Sequence, residues 1–391
     1  MIRVLLAGHT GVVSGAELVT LELARDIPEG FEPIIACPPG PFADAANAIG
    51  VEVRSLPGTS GSLRLHPLHT PRAVLDLVRM GVALRMLARD LGAGLLHAVS
   101  LRAGIGAALA RRLGGPPVVL AQHDELPASR ISRILRATVD PSVSAIIANS
   151  AYTRDSLAAG SFRSPMTVVN PAVDLERFDP DHVDRDDART ALGALPSDFV
   201  LGVVGQITPW KGQALAIRAL AEVRKRHPEA RLVIAGETRF TSSATRYDNR
   251  SYRDGLETLV GDLGLGGAVD FVGQSDEVPA LMRALDVLLV PSWHEPFGRV
   301  VIEGMAMGLP VVATSVGGPA ETIADGQDGL LLPPRDEAIW AHALCELLES
   351  PQRRAQIGAA AKHTARRYDS RGQAEATAAV YRNVLAGRGL K

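Results

Sequence analysis

The chain has 391 residues, 46% hydrophobic and 21% charged, with a formal net charge of −2. That length can hold two domains with separate cores, and the near-balanced charge argues against the electrostatic footprint of a nucleic-acid binder. Two cysteines, Cys37 and Cys345, give no disulfide framework, and no uncharged run reaches the roughly 18 residues of a membrane span. The opening run Met1–Gly8 is too short for a signal peptide and reads as a first strand. Together these features predict a soluble, cytoplasmic protein.

Short apolar runs alternate with helical patterns along the whole chain, the mark of stacked strand–helix–strand units around parallel sheets. In the first half, strands are expected at 2–7, 32–37, 94–97, 117–122, 144–148 and 166–169, with helices at 15–27, 72–91, 101–113 and 151–159. Residues 170–188 are polar, acidic and proline-bearing, which suggests a connection between domains. The pattern then restarts, with strands at 199–204, 231–235, 268–272, 286–290, 310–313 and 329–332. Helices are expected near 213–226, 251–263, 277–284, 299–307, 336–348 and 351–367. The expected domains are 1–178 and 186–371, with a last helix in about 372–391 packing back on the first. Two such domains facing each other would place ligands at the carboxyl ends of both sheets.

In chain order, the first constellation is Gly8-His9-Thr10-Gly11-Val12-Val13-Ser14-Gly15, between a strand and a helix. Glycine lets backbone N–H groups approach an anion closely. The spacing differs from Gly-x-Gly-x-x-Gly, and the second strand ends in Ala36-Cys37-Pro38 with no acid for an adenosine ribose. A loop that approaches a phosphate or an acceptor fits better than a dinucleotide site, and a plain tight turn stays open. Next, Gln122-His123-Asp124 ends a strand, where a histidine can donate to a sugar hydroxyl or serve as a structural residue. The basic segment 130–136 and helix 72–91 read as amphipathic packing elements, and are also compatible with an anionic membrane surface. Asp184-Arg185-Asp186 has the two-acid spacing of a metal site, but its acidic neighbours make it a helix start.

In the second half, Gly205-Gln206-Ile207-Thr208-Pro209-Trp210-Lys211-Gly212 lies between a strand and a helix. Only four lysines occur among 41 basic residues, so Lys211 in this glycine-flanked loop stands out as a cation for a phosphate, with a solvated loop lysine as the plainer alternative. An ammonium about 4 Å from a phosphate gains roughly 4 kcal/mol at an effective dielectric of 20. Finally, residues 294–322 carry Glu295 and Glu303 around a helix expected to start near Gly298. The helix N-terminus favours an anion, while carboxylates beside it suit sugar and ribose hydroxyls.

Taken together, these motifs resemble the retaining glycosyltransferases of family 4. The resemblance is most specific at 294–322, strong at 205–213, modest in the first half, and extends to the stretch from Gly236 to Tyr252 and to Phe271–Pro279. It implies the GT-B fold: two Rossmann-like, doubly wound α/β domains, the first for an acceptor and the second for a nucleotide-sugar donor. By the same resemblance, Glu303 holds the ribose, Lys211 the diphosphate, and Glu295 with Phe297, Gly298, Arg299 and Val300 the donor sugar and phosphates. Gly15 approaches the phosphate, His123 faces the sugar near the reacting carbon, and Val272 and Gly273 contact the base. Gln206 stands where the family usually has Arg, so half of a cationic clamp is missing: either another arginine, such as Arg299, replaces it, or donor affinity and leaving-group stabilisation are weaker.

The resulting expectation is a retaining, metal-independent transferase with no resident cofactor. Its donor is a UDP-hexose or, next, a GDP-sugar, and its acceptor a small molecule or a lipid-linked glycan. Peripheral contact with the inner membrane face is compatible, nucleic acid is not expected, and oligomeric state is open. A nucleotide-sugar epimerase or a phosphorylase of the same architecture is the alternative among enzymes. A non-catalytic nucleotide-sugar-binding partner subunit is the alternative outside them.

Overall fold

The computed structural model of the protein describes all residues except 60–68, 126–129, 160–161, 240–246 and 388–391, and omits the side chains of 69–72, 130–132 and 135. Part of the Gly236–Tyr252 stretch therefore lies outside the described residues. The chain divides into two compact units, Met1–Ala172 with Ser370–Lys391, and Val173–Asp369.

In the first unit the elements run β1 (Ile2–Ala7), α1 (Gly15–Asp26), β2 (Phe31–Cys37), α2 (Pro41–Ala48), β3 (Glu52–Ser55), α3 (His69–Asp90), β4 (Leu95–Ala98) and α4 (Leu101–Arg112). They continue with β5 (Val118–Gln122), α5 (Arg130–Val139), β6 (Ala145–Ala148), α6 (Ala151–Ala159) and β7 (Met166–Val168). Seven strands form one parallel sheet in the order β3-β2-β1-β4-β5-β6-β7. Apolar clusters cover both faces, one around Leu5, Ile34, Met80 and Leu120, the other around Val4, Leu6, Phe42 and Val119. Burial on both faces is why the central strands read as unbroken apolar runs. Helix α3 leaves Val74, Leu75, Val78, Val82 and Met86 exposed in a stripe along one side.

The second unit begins with α7 (Arg185–Ala191) and continues β8 (Phe199–Val204), α8 (Gln213–Arg224), β9 (Ala230–Ala235), α9 (Asn249–Asp262), β10 (Val269–Gly273), α10 (Val278–Ala284) and β11 (Val287–Val290). It ends with α11 (Arg299–Ala306), β12 (Val311–Thr314), α12 (Pro319–Thr322), β13 (Leu330–Leu332), α13 (Glu337–Glu349) and α14 (Pro351–Ala365). Six strands pair in parallel in the order β10-β9-β8-β11-β12-β13. A final helix, α15 (Ser370–Leu385), belongs to the first unit, where Tyr381 is fully buried.

Five elements have no counterpart among the expected strand and helix spans, α2, β3, α5, α7 and α12, although a helix start was expected at Asp184. Strand β3 is a four-residue edge strand with the sequence Glu-Val-Arg-Ser, half-buried or exposed throughout, so it shows no apolar run. Helices α7 and α12 span seven and four residues, too short for a helical period to show. The acidic cluster at Asp184 does start a helix: its side chain accepts from the N–H groups of Asp186 and Asp187, an N-cap of α7.

Candidate functional site

In a doubly wound sheet, ligands sit beyond the carboxyl ends of the strands, where the strand order reverses. In the second unit that point lies between β8 and β11. The loop after β8 closes with a turn at Pro209–Lys211, and Gly212 caps α8 in the left-handed region, at φ 75°. A Cβ on Gly212 would fall 1.9 Å from the Pro291 carbonyl oxygen, so only glycine lets the two loops pass this closely. The result is contact between residues 84 apart. The Lys211 ammonium donates to Glu295 Oε2 at 2.6 Å, and Ser292 Oγ donates to the same oxygen at 2.8 Å.

Both charges are largely removed from water, with side-chain exposures of 20% for Lys211 and 6% for Glu295. The Glu295 backbone is pinned as well: its N–H donates to Val316 O and its carbonyl accepts from Gly318 N–H. Lys211 Nζ lies 4.4 Å from the centre of the Trp210 ring, which stacks on His294 with 5.6 Å between centroids. The ammonium is thus held between a carboxylate and an aromatic face.

Helix α11 follows at once. Gly298 caps it with φ 87°, and a Cβ there would meet Glu295 Cγ at 2.9 Å. The N–H groups of a first helical turn have no partners within the helix. In α11 that turn carries Arg299 and Val300, both half-buried, while Phe297 packs into the core beneath. One turn on, Glu303 Oε1 lies 3.5 Å from Arg299 Nε. Arg299, the candidate to replace the missing clamp arginine, is therefore engaged with Glu303. Gln206 donates through Nε2 to Arg239 O at 3.2 Å, and its own carbonyl accepts from Gln213 Nε2. At the end of β10, Val272 is exposed and the Gly273 carbonyl accepts from Gly236 N–H.

In the first unit the order reverses between β1 and β4. His9, two residues past β1, bonds Ser100 through Nδ1 at 2.9 Å, and Ser100 caps α4. Burial, with the nearby Arg102 charge, lowers the His9 pKa to about 4, so the ring is neutral near pH 7. Arg102, in the first turn of α4, interacts with Asp124 beyond β5. Gly15 opens α1; just before it, the Ser14 N–H and hydroxyl both donate to Glu17 Oε2. Burial pushes the Glu17 carboxyl up, partly offset by those bonds. His123 follows β5 directly, and its carbonyl accepts from Asn149 Nδ2 at 2.9 Å.

The second unit thus brings Lys211 and Glu295 into contact and sets Gly298, Arg299 and Glu303 on the adjoining helix. Sequence reasoning did not single out Ser292, His294 or Arg102. The only available signal was position, since each follows a strand end. Among the described residues no group of three or more His, Cys, Asp or Glu is arranged to hold a metal, and no helix is long and apolar enough to cross a membrane.

Comparison with known proteins agrees with this architecture. The model for Glycosyltransferase Family 4 matches residues 13–177, and that for Glycosyl transferases group 1 matches residues 184–364. The chain is 32% identical to the D-inositol 3-phosphate glycosyltransferase 2 of Catenulispora acidiphila over 406 aligned residues, covering 95% of this chain and 90% of that protein. It is 40% identical over 210 residues to the D-inositol 3-phosphate glycosyltransferase of Stackebrandtia nassauensis, a match covering 52% of this chain and 45% of that one. Among solved structures, Anabaena HepE in complex with UDP and glucose superposes with a TM-score of 0.84 at 23% identity, over 98% of this chain and all of that one. The sucrose-phosphate synthase of Thermosynechococcus elongatus gives 0.80 at 22% identity, over 99% of this chain and 100% of that one. Together, two parallel-sheet units, family models over both halves and a relative aligned along nearly its whole length show that the chain belongs to the family 4 glycosyltransferases and is an enzyme of the GT-B fold.

Proposed function

We propose that the enzyme moves a hexose from a UDP-linked donor to a hydroxyl of a phosphorylated polyol, of the class named by its D-inositol 3-phosphate relatives. The reading adds retention of configuration and needs neither a metal nor a resident cofactor. The observation that carries it is the buried Lys211–Glu295 pair beside the start of α11. Lys211 and the helix end hold the departing diphosphate, whose charge grows as the glycosidic bond breaks. Glu303 takes the ribose and Glu295 the sugar hydroxyls, since carboxylates are pure acceptors. The first unit receives the acceptor, with Arg102 for its phosphate and His123 for the sugar near the reacting carbon.

The test pairs the purified enzyme with UDP-glucose, UDP-N-acetylglucosamine and GDP-mannose, with and without D-inositol 3-phosphate and with EDTA present throughout. Nucleoside diphosphate release and the anomeric NMR signal of the product are read. Acceptor-dependent release from a UDP-sugar, giving an α-linked product from an α-linked donor, is the expected result. An inverted product or a requirement for added Mg²⁺ would overturn the corresponding part. Binding of a UDP-sugar without turnover would remove D-inositol 3-phosphate as the acceptor.

A further inference from the structure

The first unit holds a buried polar chain that the proposed reaction does not use. It begins on α15, where Tyr381 is fully buried, with its ring edge-on to Phe31 and to His97. Its hydroxyl lies 2.5 Å from Nδ1 of His97, a buried residue of β4. Earlier on α15, Thr377 Oγ1 donates to the Gln373 carbonyl, and Gln373 Oε1 accepts from Ala172 N–H. Between α15 and the strand ends lies a cavity of about 20 Å³, whose polar lining is Thr20, His97, His123, Asn149, Gln373 and Thr377. That volume suits one water, and the lining offers the two to four polar partners a buried water requires.

We propose that Tyr381 and His97 are positioning residues for His123, acting through one water in this cavity. The inference rests on the reading that His123 faces the sugar. A phenol is a stronger acid than a neutral imidazole N–H, so Tyr381 donates its proton to Nδ1 of His97. The His97 proton then sits on Nε2, and a buried N–H without an acceptor is costly. The cavity water supplies that acceptor and turns its own proton toward His123, fixing that ring's tautomer and orientation. His97 stays uncharged throughout, because burial and the neighbouring His123 lower its pKa to about 3. The helix that ends the chain thereby acts on a strand-end histidine that it reaches only through His97.

Tyr381→Phe removes one hydroxyl and keeps the ring. In the ¹⁵N-labelled full chain, the substitution is expected to move the imidazole resonances of both His97 and His123. It is also expected to lower kcat by about tenfold with the donor KM unchanged, since misplacement of a reacting group is expressed in the chemical step. Thr377→Ile, which fills the cavity and spares the Tyr381–His97 bond, is expected to move the His123 resonances and His97 Nε2, to leave His97 Nδ1 in place, and to lower kcat alike; it serves if Tyr381→Phe folds poorly. His123 resonances unchanged in both variants would overturn the proposal, as would a lower melting temperature with kcat per folded molecule unchanged. The spectra are recorded without substrate, so an enzyme that transfers no sugar would remove the proposed reaction and still leave the linkage readable at His123.

Discussion

Replacing Lys211 with Met keeps the side-chain stem and deletes the charge that faces Glu295. At 2.6 Å the gross Coulomb attraction at an effective dielectric of 20 is about 6 kcal/mol. Most of it is offset by desolvating the ammonium, which is one-fifth exposed, and the carboxylate, which is almost wholly enclosed. What the variant leaves is a buried carboxylate with Ser292 still donating to it, and a loss of about 2–3 kcal/mol is expected. For a unit of this size that lowers its melting temperature by roughly 4–12 °C. Glu295→Gln is expected to cost a similar amount, and the double variant to recover about 1.5–3 kcal/mol of the summed loss as coupling. Turnover separates this from a purely structural pair: Lys211→Met should lose about 10²–10³ in kcat through the leaving group, and the double variant should regain stability but not turnover. Calorimetry and donor kinetics on the three variants decide. Additive stability changes, or turnover restored in the double variant, would refute the reasoning.

Three further outcomes are expected. Above about pH 7, His9 and His97 are neutral folded and unfolded alike; below 6.5 the unfolded chain takes up protons that the folded rings refuse down to about 4 and about 3. Stability is therefore lost as pH falls through that window, by a few kcal/mol, against an opposing gain from Glu17, whose raised carboxyl favours the folded state on acidification; the slope between pH 7 and 5 should flatten in His9→Gln/His97→Gln, and an unchanged slope refutes the assignment. Gly298→Ala forces φ 87° on a residue with a Cβ and presses on Glu295 Cγ, so stability should drop by about 1–2 kcal/mol and kcat by about tenfold, measured by thermal melts and donor kinetics. Arg102→Gln should raise KM for a phosphorylated acceptor about tenfold and leave donor KM alone; equal effects on both would remove Arg102 from acceptor recognition.

How far the sequence could reach depends on what each feature rests on. Strand β12, Val-Val-Ala-Thr with every residue buried, was legible because a strand covered on both faces must be apolar throughout. Strand β3 was not, because an edge strand with exposed charges has no such constraint. Lys211, Glu295 and Gly298 could be placed at strand ends and a helix start, since glycine and turn chemistry are local. Their pairing could not, because it depends on β8 and β11 becoming neighbours across 84 residues. The Tyr381–His97 bond spans 284 residues and joins a helix to a strand of the opposite end of the chain, so no local pattern could announce it.

The two strand-order reversals carry related hydrogen-bonded pairs with opposite electrostatic solutions. In the first unit His9 meets Ser100, and burial keeps the imidazole neutral. In the second, Lys211 meets Glu295 at 2.6 Å, an ion pair in which each side chain is the other's partner. A neutral pair can orient a hydroxyl but does little for a departing diphosphate, whereas an ammonium beside a helix start can stabilise that charge directly. On the proposed reaction, the His9–Ser100 pair suits the orienting of an acceptor hydroxyl, and the Lys211–Glu295 pair suits a nucleotide leaving group.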